Sequence, residues 1–379
     1  MPKTTIKILT VTHYFATNGY GIESVAAKLN ELLRARGCSV RWIAAHATNR
    51  VTRSFPSGDF EIGIRSWDGI REATDLAWPV FAPWSLPRIV REVRECNVVH
   101  LHEAFYPLQQ AVLWVARLLG RPVVITQHIA DMPIGGPLRG NAVRLANAVM
   151  TRPAFAMAQR IVYESRRTQK HFARWSRGKD EFVPNGCDTD WFVPPSADEV
   201  TIARRTLGIP VSGTVALFAG RFIEKKGLAR IRKVAASHPE AHFVIIGSGT
   251  VDPQSWNLSN VDVRTPVPLR QLRQFYHAAD VLILPSVGEG LPLVVQEACC
   301  CGLVPMVSRE IIEAAPEIAS FAYDAGEGGN GLLKAFDEFL ERSQPHASAR
   351  EVAAIARSLW SWERCGDEYL RILGEVATA

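Results

Sequence analysis

One pattern recurs along the chain and restricts its fold more than any other feature. Short, strongly apolar runs alternate with stretches whose apolar residues recur at helical spacing. IKILTVT (6–12) leads into a helical stretch from about Ile22 to Arg36, with Val25, Leu29, Leu32 and Leu33 on one face. SVRWIAA, NVVHLHE, PVVITQH and RIVYES continue the alternation through the first half. TVALFAG, HFVIIGS, VDVR, VLILPS and VPMVS carry it through the second, with helical stretches such as 268–279 and 293–301 between them. Strands apolar on both faces and separated by helices build parallel sheets covered on both sides. Because the alternation restarts near residue 213, the sequence predicts an α/β chain of two doubly wound parallel-sheet domains. A length of 379 residues suits two domains. PNGCDTDWFVPPSADE (184–199) reads as turn and linker, and SLWSWERCGDEYLRIL (358–373) as a terminal helix. The expected boundaries are 1–184, 185–357 and a C-terminal helix over 358–379.

Composition removes several alternatives. No apolar run reaches the ~18–20 residues that span a bilayer; the most apolar stretch, 111–126, is broken by Arg117 and Arg121. The N-terminus reads as a first strand and not as a cleavable signal, so a cytoplasmic location is expected. Seven cysteines, three of them consecutive at Cys299 to Cys301, include no CxxC pair and read as reduced thiols. Charge is unevenly divided. Residues 1–184 hold 25 Lys and Arg against 14 Asp and Glu, and residues 185–379 hold 18 against 24. A basic first half suits an anionic partner: nucleic acid, a membrane surface or a phosphorylated substrate. A solvated surface bias is the plain alternative. No helix-turn-helix, RRM or zinc-finger pattern appears, so no nucleic-acid partner is expected.

The residues that could carry chemistry follow strands, where ligands of parallel sheets bind. Gly19 and Gly21, in NGYGIE, form a turn into a helix whose backbone could approach a phosphate. Ser24 stands where a dinucleotide fingerprint has its third glycine, so a plain turn is the favoured reading on spacing alone. GRFIEKKG (220–227) sets Arg221 and Lys226 after a strand, either as a diphosphate site or as a basic surface turn. In EGLPLVVQE, Glu289 lies in a loop and Glu297 eight positions on in a helix. These could hold sugar and ribose hydroxyls, or be an ordinary loop acid and an acid favoured by the helix dipole. Asp188-Thr189-Asp190 imitates a metal-binding DxD but lies within the linker turn, and no metal is expected there. His100 and His102 share a strand face without a third ligand nearby. His102 and Glu103, at that strand's end, are candidates to face an acceptor.

Taken in order, PNGCDTDWF, AGRFIEKKG, IIGSGT, LRQFYHAADVLILPS and EGLPLVVQEACCCGLVP resemble the nucleotide-sugar half of a family 4 retaining glycosyltransferase of the GT-B fold. VVHLHEAF and VITQH resemble its first half more loosely, and the Trp-containing terminal helix resembles the one that crosses back to the first domain. The resemblance implies two Rossmann-like domains facing an interdomain cleft, the first for the acceptor and the second for the donor. It implies Arg221 and Lys226 at the donor diphosphate, Glu289 at the transferred sugar and Glu297 at the ribose. It adds Gly290, Leu291, Leu293 and Val294 through backbone N–H groups. Gly19 and Gly21 would close over the diphosphate, His128 would lie near the sugar, and Gly247, Gly249 and Val267 near the base. Catalytic roles thus fall to Glu289, His128, Arg221 and Lys226. No cofactor is implied, and the two cations stand in for a metal. Tyr20 departs from the two adjacent glycines common in the family and joins His102 and Glu103 as a candidate acceptor contact. The donor expected is UDP- or GDP-linked.

For the acceptor, two basic and aromatic stretches matter. Arg139, Arg144, Arg152 and Arg160 flank NAVRLANAVMTRPAFAMAQR; Trp78, Phe81 and Trp84 stand beside Arg88, Arg91 and Arg94. Aromatics beside arginines suit an anionic lipid surface, against the plain reading of a core helix with cationic flanks. The expectation is a lipid-linked saccharide acceptor in surface polysaccharide or glycolipid assembly, with the protein peripheral on the inner face of the membrane. A soluble sugar or small-molecule acceptor is the alternative, and a nucleotide-sugar 2-epimerase is the alternative of another class.

Overall fold

Each of the apolar runs becomes a strand in the computed structural model, which describes residues 5–18, 21–69, 78–129, 137–326, 328, 330–341 and 347–378. The chain divides into two units. Unit 1 runs to Asn185 and resumes at Trp362; unit 2 is Gly186–Ser361.

Unit 1 contains β1 (Lys7–Val11), β2 (Ser39–His46), β3 (Val51–Ser54), β4 (Phe60–Trp67), β5 (Val80–Phe81), β6 (Val98–His102), β7 (Val123–Gln127), β8 (Arg160–Tyr163) and β9 (Asp180–Phe182). They form one sheet in the order β3-β4-β2-β1-β6-β7-β8-β9, with β5 beside β4. The pairs β3–β4 and β4–β5 are antiparallel and the others parallel. β6 and β7 are buried along their whole length, as an apolar run between two helical layers requires. Leu9, Val99, Leu101, Ile125 and Ile161 of this sheet pack with Phe155 and Phe172 from the helices.

Unit 2 contains β10 (Val215–Ala219), β11 (His242–Ile246), β12 (Val261–Arg264), β13 (Val281–Leu284), β14 (Val304–Val307) and β15 (Tyr323–Asp324). All its pairs are parallel, in the order β12-β11-β10-β13-β14-β15. Each sheet reverses its winding beside its own first strand. β1 lies between β2 and β6, and β10 between β11 and β13. At such a reversal the loops after neighbouring strands part to opposite faces, which leaves room for a ligand at the strand ends.

The structure departs from the sequence reading in two places. The helix placed over 358–373 begins at Trp362, so the boundary falls after Ser361 and not after 357. Residues 358–359 end the helix Ala349–Leu359, which a Ser348–Glu351 capping box starts, and Trp360 lies in the core of unit 2. β3, β4 and β5 form an edge that the apolar pattern does not predict. On the stretch around Trp84, Arg88 pairs with Glu92 (2.8 Å) and Arg91 with Glu95 (3.1 Å) along the helix Leu86–Glu95. Phe81 is half-buried and Trp78 meets Phe105 edge-on, while Trp84 stays 66% exposed.

The terminal helix Trp362–Thr378 packs in unit 1 against the helix Gly21–Ala35. Arg36 pairs with Asp367 at 2.7 Å, and the hydroxyls of Tyr369 and Thr126 lie 3.0 Å apart. All seven cysteines are buried and none forms a disulfide; Cys299, Cys300 and Cys301 contribute to the core of unit 2.

Candidate functional site

In unit 2 the cationic turn and the acidic loop meet at the sheet reversal. The first follows β10 and the second follows β13. Gly227, at φ +75°, brings the two together: a Cβ there would lie 2.7 Å from the carbonyl oxygen of Pro285. The amide of Val287 donates to the carbonyl of Lys225 (2.9 Å), and the amide of Gly288 to Glu310 (2.6 Å). Lys226 Nζ then lies 3.0 Å, and Lys225 Nζ 3.4 Å, from the Glu289 carboxylate. The Lys226 side chain is only 12% exposed. Burial lowers its pKa while Glu289 opposes that shift, and Arg221 and Lys225 are near enough to add repulsion. Arg221 itself is exposed. Three cations thus surround one strand end, and a single carboxylate partly balances them.

Gly247 and Gly249 act on this turn. The amide of Gly220 donates to Ile246, Phe222 to Ser248, and Val251 to Phe222, so the loop after β11 runs flush against the cationic turn. A Cβ on Gly247 would sit 1.9 Å from the carbonyl oxygen of Gly220, and one on Gly249 2.3 Å from that of Phe222. The glycines are therefore required by close backbone approach. Val267 is half-buried on the segment after β12.

Leu291 is buried, and Gly290, Leu293 and Val294 are half-buried where the loop enters the helix Leu293–Cys300, which has no side-chain N-cap. Glu297 lies inside that helix and accepts from the Tyr276 hydroxyl at 2.8 Å. Burial pushes its carboxyl up to about 7, and the tyrosine bond opposes this. Asp188, of the DxD-like triplet, caps a turn by accepting from the amide of Trp191. Among the described residues no group of three or more His, Cys, Asp or Glu is placed to hold a metal ion.

In unit 1 the reversal between β1 and β6 gathers a buried polar cluster. His128, after β7, sets its Nδ1 2.6 Å from Glu164 at the end of β8, and its Nε2 3.0 Å from His102 Nδ1. Glu103 accepts from the amides of His128 (2.7 Å) and Ile129 (2.8 Å) and from the Gln127 side chain. To do so it holds φ +69°, a conformation that a non-glycine residue adopts at a cost. Burial raises its carboxyl to about 7 against the pull of His128 and these amides. His13 pairs with Glu23 at 3.0 Å and stacks on Tyr106.

His102 and Glu103 were expected to face an acceptor. Both are completely buried and serve as supports for His128, because their strand end is covered on both faces. Gly21 begins the helix Gly21–Ala35, whereas Gly19 and Tyr20 lie outside the described residues, as do the side chains of Arg139 and Arg144. Sequence reasoning missed Glu164, Glu23 and His13. The only signals were an acid directly after one apolar run, a histidine after another and a first-turn acid in a helix.

This cluster makes unit 1 sensitive to acid. Burial, helped by His128, holds His100 neutral down to about pH 3, and burial holds His102 neutral well below its usual range. The unfolded chain protonates both near pH 6.5. The unfolded state therefore binds more protons in that window, and stability falls as pH drops, by up to about 1.4 kcal/mol per pH unit for His100. Glu103 opposes this only between 4.5 and about 7, where its folded carboxyl keeps a proton that the unfolded chain releases. His100→Gln should flatten the pH dependence of urea-derived stability between pH 6 and 4. An unchanged slope would show that His100 does not carry it.

The family model described as Glycosyl transferases group 1 matches residues 199–347, and that described as Glycosyltransferase Family 4 matches residues 20–191. The D-inositol 3-phosphate glycosyltransferase of Xylanimonas cellulosilytica is 34% identical over 144 residues, which cover 34% of this chain and 34% of that protein. The GDP-mannose-dependent monoacylated alpha-(1-6)-phosphatidylinositol monomannoside mannosyltransferase of Corynebacterium glutamicum is 25% identical over 237 residues, 56% of this chain and 61% of that one. The chain thus spans less than two thirds of the length of both relatives. Anabaena Alr3699/HepE, solved in complex with UDP, matches with a TM-score of 0.74 at 16% identity, covering 98% of this chain and 100% of that one. That likeness is one of fold.

Proposed function

Because the chain belongs to glycosyltransferase family 4, with two Rossmann-like domains of the GT-B fold, we propose that it transfers a sugar from a nucleotide-diphosphate sugar to an acceptor hydroxyl with retention at the anomeric carbon. The observation that carries this reading is the set of Arg221, Lys225, Lys226 and Glu289 at the sheet reversal of unit 2. Breaking the anomeric C–O bond places negative charge on the leaving diphosphate, and fixed cations at that point lower the barrier most. Arg221 and Lys226 supply them, so the reaction needs no metal for this purpose. Glu289 contacts the transferred sugar, Glu297 the ribose hydroxyls, and His128 the sugar from the other unit's sequence. The leaving phosphate accepts the acceptor's proton on the face it departs from. A UDP- or GDP-linked donor agrees with the UDP held by the Anabaena protein and with the GDP-mannose in the name of the Corynebacterium relative.

The proposed acceptor is a lipid-linked saccharide met at the inner membrane surface. Support comes from a pocket of about 770 Å³ in unit 1, lined by Arg152, Arg174 and Arg177 with Trp175, beside Val149 at 62% exposure. The name of the Corynebacterium relative also includes a phosphatidylinositol mannoside. The attachment proposed is peripheral; among the described residues no helix is long and apolar enough to cross a membrane.

Thermal unfolding with UDP, GDP, ADP and CMP, without metal, tests the donor site. Stabilisation by one of the diphosphates is expected, and no response to any of them would overturn the assignment. A second expectation concerns Glu297. Its carboxylate is the stronger acceptor for hydroxyls when ionised, so the nucleoside diphosphate should bind more tightly as pH rises through about 7. Glu297→Gln should weaken binding roughly tenfold at pH 8, the worth of a charge-assisted hydrogen bond, and remove that rise in calorimetric titrations.

A further inference from the structure

We propose that Glu164 is a positioning residue for His128: its carboxylate, gripped by Asn185, fixes the imidazole with Nδ1 as the donor and Nε2 turned toward His102. This rests on the reading that His128 serves the transferred sugar. The geometry is specific. His128 Nδ1 and Asn185 Nδ2 both approach the same oxygen, Glu164 Oε2, at 2.6 and 2.5 Å. A carboxylate only accepts, so the proton between Glu164 and His128 belongs to Nδ1. The His128 ring has 3% of its side-chain surface open and cannot turn without breaking this bond.

The consequence passes to the next ring. With Nδ1 protonated, a neutral His128 offers a lone pair at Nε2, which accepts from His102 Nδ1–H at 3.0 Å. His102 Nε2 is then a lone pair with no partner among the described residues, at a residue with no exposed surface. If His128 carries a second proton, that proton lies on Nε2 and His102 instead presents Nε2–H. Glu164 thus decides which of two states a row of buried imidazoles adopts.

Among the described residues, the charged groups that face this row come from several elements. Glu164 acts from β8, Glu103 from the end of β6, Glu23 from the helix Gly21–Ala35, and His100 and His13 oppose further charge near His102. Burial lowers the pKa of His128, yet the net shift is upward, with Glu164 the strongest of the three acids. Asn185 ends unit 1 within the PNGC sequence, so the same oxygen also anchors the chain where it leaves this unit.

The test uses the full chain carrying ring-labelled histidine, with His128→Ala identifying the His128 resonance. Glu164→Gln should lower the titration midpoint of His128 by at least one pH unit and reduce the Nδ1–H form of the neutral ring. Glu164→Asp, which restores the charge one methylene shorter, should recover part of the shift and serves if the glutamine variant does not fold. In parallel, acceptor-free release of UDP from UDP-glucose and of GDP from GDP-mannose is measured across pH. Glu164→Gln should lower kcat at least tenfold with KM changed less than threefold, and should move one limb of the profile to lower pH. An unmoved His128 resonance in both variants overturns the proposal. If His128→Ala abolishes nucleotide release while Glu164→Gln keeps the wild-type profile, the positioning role fails and the catalytic reading of His128 stands. If His128→Ala releases nucleotide at the wild-type rate, that reading falls and takes this proposal with it.

Discussion

Lys226→Ala lowers the rate of sugar transfer by about 100- to 1,000-fold, the loss typical of removing one preorganised group opposite developing charge. The size follows from where the ammonium sits. Its side chain is 12% exposed, and its charged end lies 3.0 Å from Glu289 on the loop after β13. Electrostatic attraction to a leaving diphosphate is stronger there than at a solvated surface. Lys225 and Arg221 do not replace it, since the first is 34% exposed and the second is a surface residue. The fold should tolerate the change. Glu289 keeps Lys225 as a partner, and the backbone bonds from Val287 and Gly288 hold the loop in place. Lys226→Arg should recover only part of the rate, because a planar fork does not fit a site shaped for a point charge. Steady-state kinetics at saturating donor, beside a melting curve, decide the matter. A rate within threefold of wild type would remove Lys226 from the leaving-group site.

Gly247→Ala destabilises unit 2 by about 3 kcal/mol and abolishes nucleotide binding with it, although residue 247 carries no chemistry of its own. The added methyl would overlap the Gly220 carbonyl oxygen at 1.9 Å and the Phe222 ring at 2.8 Å. Overpacking of this kind costs typically 1–3 kcal/mol, and more where only backbone can give way. The backbone that must move is the turn that bears Arg221, so stability and function are lost together. Gly213 provides the control. It also holds a positive φ, but its nearest neighbour is the carbonyl oxygen of Glu240 at 3.8 Å. Gly213→Ala should cost about 1 kcal/mol and leave the site intact. Urea unfolding and calorimetric titration of both variants separate strain at a single residue from displacement of the turn. Equal effects in the two would refute the close-approach argument.

The central strands were legible because they are buried on both faces, so their composition alone distinguishes them from helix and loop. β3 and β9 were not: β3 is exposed throughout, β9 is partly exposed, and both lie at sheet edges where charged residues are tolerated. β4 alternates and includes Gly63 and Arg65, which dilutes its pattern. In unit 2, Arg221, Lys226 and Glu289 follow their strands directly, and a motif in sequence order was enough to identify them. Unit 1 is different. Glu164, His128 and His102 come from three strand ends far apart in sequence, and only the register of β6, β7 and β8 joins them. Glu103 shows the same limit from the other side. Its position after a strand suggested an outward carboxylate, but an unusual backbone angle turns it to the amides behind His128.

The return of the last helix to unit 1 has a consequence for how the chain is made. Trp362, Cys365, Tyr369, Ile372 and Leu373 supply part of the interior of the unit that begins with β1. On the ribosome that interior stays unfinished until all of unit 2 has been synthesised. At ~5–20 residues per second, this is a delay on the order of ten seconds or more. Unit 2, one uninterrupted segment, can complete itself first although it is translated second. The nascent first unit meanwhile carries an uncovered apolar strip, which makes this interval the chain's main exposure to chaperones and to aggregation.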